Sequence, residues 1–233
     1  MISTKNINTG GGNSVPKTLG PGNAEIKINN VKLETVPYKQ DAYHVILEAE
    51  GPALGGDFQG FLIDKDDPSK GHYAGQVGRI RYSEYPYSDG VTKRGDVINR
   101  DEEILKAIKN LCRDLNCEGW LDAQDEKHDT IESLVAQFGS DKPYAGNFLR
   151  VCIAGREYQN RSGYTAHDLF LPKWSKDGLA MESASVDPAM SRVVKYNPDV
   201  HIRKAKTQEV NSFGTDASQN FAATSNVADE FEL

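Results

Sequence analysis

The sequence predicts a mainly β protein with helices inserted between its strands. Three observations carry this. Alternating apolar and polar residues recur in short runs bounded by Gly, Pro and Asn. Two runs with helical apolar spacing fall together between residues 101 and 139, within the strand series. The stretch 146–174, GNFLRVCIAGREYQNRSGYTAHDLFLPKW, reads as a β-hairpin with a polar, Asn- and Gly-containing loop at 159–163.

Residues 1–23 are rich in Gly, Asn, Ser and Pro and are expected to be a flexible N-terminal arm. The first strand is Ala24–Glu34. Its apolar parity switches across Asn29-Asn30, which predicts a β-bulge that lets each half serve a different partner. The second strand is Ala42–Glu50, with Tyr43, Val45, Leu47 and Ala49 on one face, ended by Gly51-Pro52. A short third strand is expected at Phe58–Asp64.

In the stretch 71–87, Arg79 and Arg81 alternate with Ile80 and Tyr82. Gly75 and Gly78 would weaken a strand there unless another backbone or a ligand approaches closely. Tyr82, Tyr85 and Tyr87 cluster around Pro86, with Lys93 and Arg94 in the loop beyond.

A helix is predicted over Asp101–Cys117. Ile104, Leu105, Ile108, Leu111, Cys112 and Leu115 form its stripe, acids occupy its first turn, and Gly119 suits the C′ position. A second helix is predicted from about Thr130 to Phe138, capped by Asp129 and stopped by Gly139. In the hairpin, Leu149, Val151 and Ile153 face one way, and Phe148, Arg150, Cys152, Ala154, Arg156 and Tyr158 the other. Arg161 sits at the turn. Tyr164–Leu171 returns and Pro172 stops it. Residues 179–206 read as a partly ordered basic extension, and 207–233 as a disordered acidic tail.

The formal net charge is −7, but it is unevenly spread. Five acids and no base follow Lys206, so the remainder holds 27 bases and 29 acids, a net −2. Residues 101–142 carry −6 and residues 148–206 carry +4. The overall sign therefore does not exclude a polyanionic partner.

Other classes lack support. No run approaches the roughly 18 apolar residues of a membrane helix, and the N-terminus does not resemble a signal peptide. Three cysteines give no disulfide framework, which suits a reducing compartment. There is no phosphate-binding loop, no dinucleotide glycine pattern and no zinc spacing. Asp64, Asp66 and Asp67 read as a solvated turn. His167 and Asp168 are adjacent on a strand, so they face opposite sides. No enzyme, cofactor or metal is expected.

The order of bulged strand, two strands, helical insert and two strands is that of an OB-fold, a five-stranded, partly open Greek-key barrel. It would span 24–178, with its helical insert at 101–139. Arginines interleaved with aromatics on an open sheet face suit single-stranded nucleic acid, cations meeting phosphates and rings stacking on bases. The phosphate-binding candidates are Arg79, Arg81, Lys93, Arg94, Arg150, Arg156, Arg161 and Lys173. The stacking candidates are Tyr82, Tyr85, Tyr87, Tyr158, Tyr164 and Trp174. Trp120, at the helix exit, reads as core.

With its strand order, the hairpin GREYQNRSGYTAHDLFLP at 155–172 and a low-complexity tail closing in NVADEFEL, the chain resembles the single-stranded DNA-binding proteins of tailed bacteriophages. In that family an acidic tail ends on a hydrophobic residue; here Asp229, Glu230 and Glu232 match the acids, and Phe231 and Leu233 the hydrophobic part. The resemblance implies a non-enzymatic protein that coats and protects single-stranded DNA during replication, recombination or repair, in the cytoplasm of the infected bacterial host. It implies single-stranded DNA, replication or recombination proteins met through the tail, and further copies of the chain as partners. The alternatives are a phage structural or assembly protein with no nucleic-acid role and, behind it, a small hydrolase.

Overall fold

The computed structural model describes residues 18–51, 76–173 and 178–204 of the 233-residue chain. The strand expected at Phe58–Asp64, the Asp64–Asp67 turn, Gly75, Trp174 and the tail from Glu209 to Leu233 lie outside the described residues.

The fold is mostly β, built on a closed five-strand barrel. Strands β1 (Gly22–Val36) and β2 (Lys39–Gly51) form an antiparallel hairpin, and β2 pairs with β3 (Gln76–Arg81). β3 runs parallel to β7 (Thr165–Phe170), β7 antiparallel to β6 (Phe148–Gln159), and β6 returns to β1. The bulge in β1 makes closure possible. The register against β2 slips between Ile28 and Asn30, so Gly22–Lys27 pair with β6 while Lys27–Val36 pair with β2. The parity switch at Asn29-Asn30 thus does what the sequence called for.

Ile26, Val45, Leu47, Ile80, Leu149, Val151 and Ile153 point inward and are buried to 2% exposure or less. Fully burying such a side chain contributes about 1.5–3 kcal/mol. The last residues of the expected arm belong to the barrel. Leu19 N–H donates to the Val77 carbonyl, and a Cβ on Gly78 would lie 2.7 Å from Leu19. A Cβ on Gly155 would lie 2.7 Å from Pro21. The close approach that Gly78 demanded is made by the chain's own residues 18–21.

Between β3 and β6 come a small hairpin, β4 (Gly90–Val91) and β5 (Val97–Ile98), and then helices α1 (Arg100–Asp114), α2 (Glu118–Asp122) and α3 (Ile131–Asp141). Asn99 caps α1 by accepting from Asp101 N–H and Glu102 N–H, and Ile104, Ile108 and Leu111 are buried. Both expected helix stops are displaced. α1 ends through Asn116, left-handed at φ 54°, and Gly119 lies inside α2. Asn tolerates that conformation, so no glycine is needed. α3 is capped by Thr130, not Asp129, and runs through Gly139 to a left-handed Lys142. A Cβ at Gly139 would lie 2.5 Å from the Val31 carbonyl oxygen, so this glycine lets helix backbone touch β1 rather than ending the helix.

The extension is folded onto the outer side of β6. Strands β8 (Met181–Ser183) and β9 (Ile202–Arg203) both pair with β6, with a 3-10 turn at Pro188–Met190 and a short helix α4 (Pro198–His201) between them. Asn23 holds it from the barrel, donating to the Val194 carbonyl at 2.8 Å and accepting from Tyr196 N–H at 2.7 Å. No helix among the described residues is long and apolar enough to cross a membrane.

Candidate nucleic-acid interface

Residues alternate across a strand, so Arg79 and Arg81 on β3, and Arg156 and Tyr158 on β6, project outward while Ile80 and Ile153 face the core. Arg79, Arg81 and Tyr158 meet at one cleft of about 320 Å³, walled by Glu34, Ile46 and, contrary to the expectation that they face opposite sides, both His167 and Asp168. Here Arg79 donates to both carboxylate oxygens of Glu34 at 2.6 Å, and Arg81 to Asp168 at 3.3 Å. In the sheet register Arg79 faces Glu48, Arg81 faces Ile46 and Glu34 faces His44. Arg79 therefore crosses β2 diagonally over Ile46, which is 2% exposed although it points out of the barrel. Further along the same face Lys32 pairs with Glu48, and Lys27 with Glu50 at 3.3 Å. The Lys32 ammonium, hydrogen-bonded to Glu48, holds that carboxyl below its ordinary range.

His44 lies under this face, buried, its pKa lowered to about 4. Burial is the main cause and the Arg81 charge adds to it, against Glu34 and Asp168, which favour the protonated ring. The imidazole is neutral at pH 7.

Beside the cleft the β6–β7 turn is internally fixed. Asn160 Oδ1 accepts from Ser162 N–H and Tyr164 N–H, and Gly163 takes φ 78°. The turn presents Arg161 and Tyr164, the latter 72% exposed.

The other candidates separate. Glu84 accepts from Arg156 at 3.1 Å and pairs with Arg203 at 3.5 Å, beside an exposed Tyr85. Next to them a groove of about 650 Å³ runs between barrel and extension, floored by Ala154, Phe170, Val193 and Val194 and rimmed by Lys173, Lys195 and Arg203. Lys93 and Arg94 sit at the exposed tip of the β4–β5 hairpin, with exposed Val91 and Val97 behind them.

Three expected contacts are corrected. Arg150 is 3% exposed beneath the extension, donating to the Val186 carbonyl and paired with Glu25 at 3.9 Å; no phosphate reaches it in this arrangement. Tyr82 and Tyr87 pack on the core. Tyr82 meets Asn110 of α1, and burial raises its hydroxyl pKa to about 12; burial pushes Tyr87 up as well. Trp120 behaves as the sequence suggested, its ring 5.1 Å from Phe138 and its Nε1–H donating to Asp141 at 2.9 Å.

Sequence reasoning passed over Tyr38, 80% exposed on the β1–β2 turn, and Glu84, which gathers two arginines. Tyr38 was signalled by its place in Pro-Tyr-Lys between two strand patterns. Glu84 had no signal, because its partners are distant in sequence. No protein-family model, curated protein or solved structure matches this chain.

Proposed function

We propose that this chain is a non-enzymatic, sequence-tolerant single-stranded DNA-binding protein built on an OB-fold, which coats and protects single strands in phage replication, recombination or repair. The barrel circuit β1–β2–β3–β7–β6, with its parallel β3–β7 pair and helices between the third and fourth barrel strands, supports the OB reading. The observation that carries the function is the union of Arg79, Arg81 and Tyr158 at one open cleft, flanked by a rigid turn offering Arg161 and Tyr164. Cations that follow a backbone and rings open to stacking are what sequence-tolerant strand binding needs. The tail residues Asp229, Glu230, Phe231, Glu232 and Leu233 would recruit replication partners, the acids meeting cations and the ring a hydrophobic floor.

The test is a titration of the full chain with fluorescently labelled oligo-dT at two salt concentrations. Log affinity should fall with log salt by about 0.7 per phosphate neutralised. A preference for duplex, or salt-independent binding, overturns the reading. One observation favours the alternative of a phage assembly protein: Arg79, Arg81 and Arg156 are each engaged by a carboxylate of the same chain. An assembly protein would leave oligo-dT unbound at both salt concentrations.

A further inference from the structure

The C-terminal end of α1 is closed by two interlocking backbone bonds. Cys117 N–H donates to the Cys112 carbonyl at 2.8 Å, and inside that loop Asn116 N–H donates to the Arg113 carbonyl at 3.3 Å, with Asn116 left-handed. This is the Schellman arrangement, in which the residue three places inside the helix end and the second residue beyond it bring their side chains together, usually as an apolar contact. Here both positions are cysteine. Both thiols are free and buried, at 0% and 7% exposure, and each shifts the other's pKa. A disulfide needs Cα atoms within about 7 Å and Cβ vectors that converge. The two backbone bonds of the cap hold the pair together at the helix end.

We propose that Cys112 and Cys117 are a dithiol modification site, which peroxides oxidise to an intramolecular disulfide across the α1 cap. The balance is two-electron. Cys117 thiolate attacks one peroxide oxygen, the O–O bond breaks, and the leaving hydroxide takes a proton to become water. Cys112 then attacks the resulting sulfenic sulfur; the S–S bond forms, the S–O bond breaks and a second water leaves. Both thiol protons end in the two waters. The order of roles follows from the contact. Accepting the Cys112 hydrogen bond lowers the Cys117 pKa, while donating it, together with burial, raises that of Cys112. Burial, and after it the carboxylate of Glu118, opposes the Cys117 shift without reversing it. Cys117 is also the member at the helix end, beside exposed Asn116 and Glu118, where fraying gives a small oxidant entry. The third cysteine, Cys152, lies on β6 under the extension, where burial alone raises its thiol to about 12. It should stay reduced.

The experiment uses the full chain, treated with hydrogen peroxide, alkylated under denaturing conditions and weighed intact. Before treatment three thiols alkylate; after it one does, and the protein has lost two hydrogen atoms. Arg113 lies between the two cysteines, so a non-reduced tryptic digest leaves the peptides 110–113 and 114–127 joined only if that bond exists. Cys152→Ser should behave as wild type, and Cys117→Ser should give neither the mass loss nor the joined peptides. Because the digest reads the wild-type chain directly, an unfolded variant does not remove the test. A bond to Cys152, a dimer linked between chains, higher oxidation of either thiol in place of the bond, or three thiols still free would each overturn the proposal.

Discussion

Neutralising the carboxylates that hold the cleft arginines should tighten single-strand binding. For a phosphate to engage Arg79 or Arg81, Glu34 or Asp168 must first yield or share the guanidinium, held at 2.6 and 3.3 Å. Three of these four side chains are at least 46% exposed, and Arg81 is 29% exposed. Each pair is then worth about 0.2–1 kcal/mol, the range of solvent-screened ion pairs. Glu34→Gln and Asp168→Asn remove that competition and one repelling charge each while keeping side-chain shape. Each should tighten binding by up to about 1 kcal/mol, roughly five-fold, and the double variant by up to about 25-fold. If each freed arginine takes one phosphate, the double variant's salt slope steepens by about 1.4. The assay is fluorescence anisotropy with labelled oligo-dT from about 0.01 M salt, where the Debye length is near 30 Å, up to about 0.15 M. Melting temperature should barely move. A double variant that binds within about two-fold of wild type at the lowest salt (~0.4 kcal/mol) refutes this competition. One that binds more weakly removes the cleft from the strand path.

The tyrosines should divide by burial: Tyr164→Ala is expected to lose about 1–3 kcal/mol of binding at unchanged melting temperature, whereas Tyr82→Ala should melt lower and bind normally once folded. Arg150→Met removes a buried cation 3.9 Å from Glu25 and a donor to the Val186 carbonyl and should destabilise the fold by about 1–3 kcal/mol in urea melts, with no change in the salt slope of the folded fraction. For His44, the folded pKa of about 4 lies below the unfolded value of 6.5. The unfolded chain therefore takes up a proton that the folded one refuses, and stability falls as pH drops from 6.5 to 4. His44→Gln should erase about 2–3 kcal/mol of that fall, read as the difference between wild-type and variant denaturation curves across the window. Deleting residues 207–233 changes the net charge from −7 to −2 and should tighten oligo-dT binding most at low salt; an unchanged affinity there argues against self-competition by the tail.

Most of the barrel could be read from alternation because one face of each strand is buried. The β1 bulge was visible for the same reason: a parity switch at Asn29-Asn30 has few other physical causes. The extension was read as partly ordered, but its attachment to β6 was invisible because it is made by other means. β8 and β9 are only three and two residues long, too short for a periodic signal, and Asn23 fastens the segment through backbone groups of Val194 and Tyr196. That covering reversed the reading of β6: once its outer side is packed, Arg150 and Cys152 become buried positions, although their parity still points away from the barrel interior. Gly139 was misread because a glycine that permits contact and one that ends a helix look identical along the chain; only the position of the Val31 carbonyl separates them.

The site was legible as a set of cations and rings but not as an arrangement. Parity carried more than was taken from it. Tyr82, read as a stacking candidate, shares the phase of Ile80 and packs on the core, while Arg79 and Arg81 have the opposite phase. What parity cannot supply is the partner. Glu34 is 45 residues from Arg79, Asp168 is 87 from Arg81, and Glu84 is 72 from Arg156. Those distances are bridged by strand order, since β1 lies two strands from β3, and β7 lies directly against it. A run of arginines in sequence therefore measures the positive charge a face could offer, and the sheet decides how much of it is already answered. On this face the answer is a carboxylate for each of Lys27, Lys32, Arg79 and Arg81. A strand bound there would exchange anions rather than neutralise bare cations, and on the proposed reading its affinity would depend on Glu34 and Asp168 as directly as on the arginines themselves.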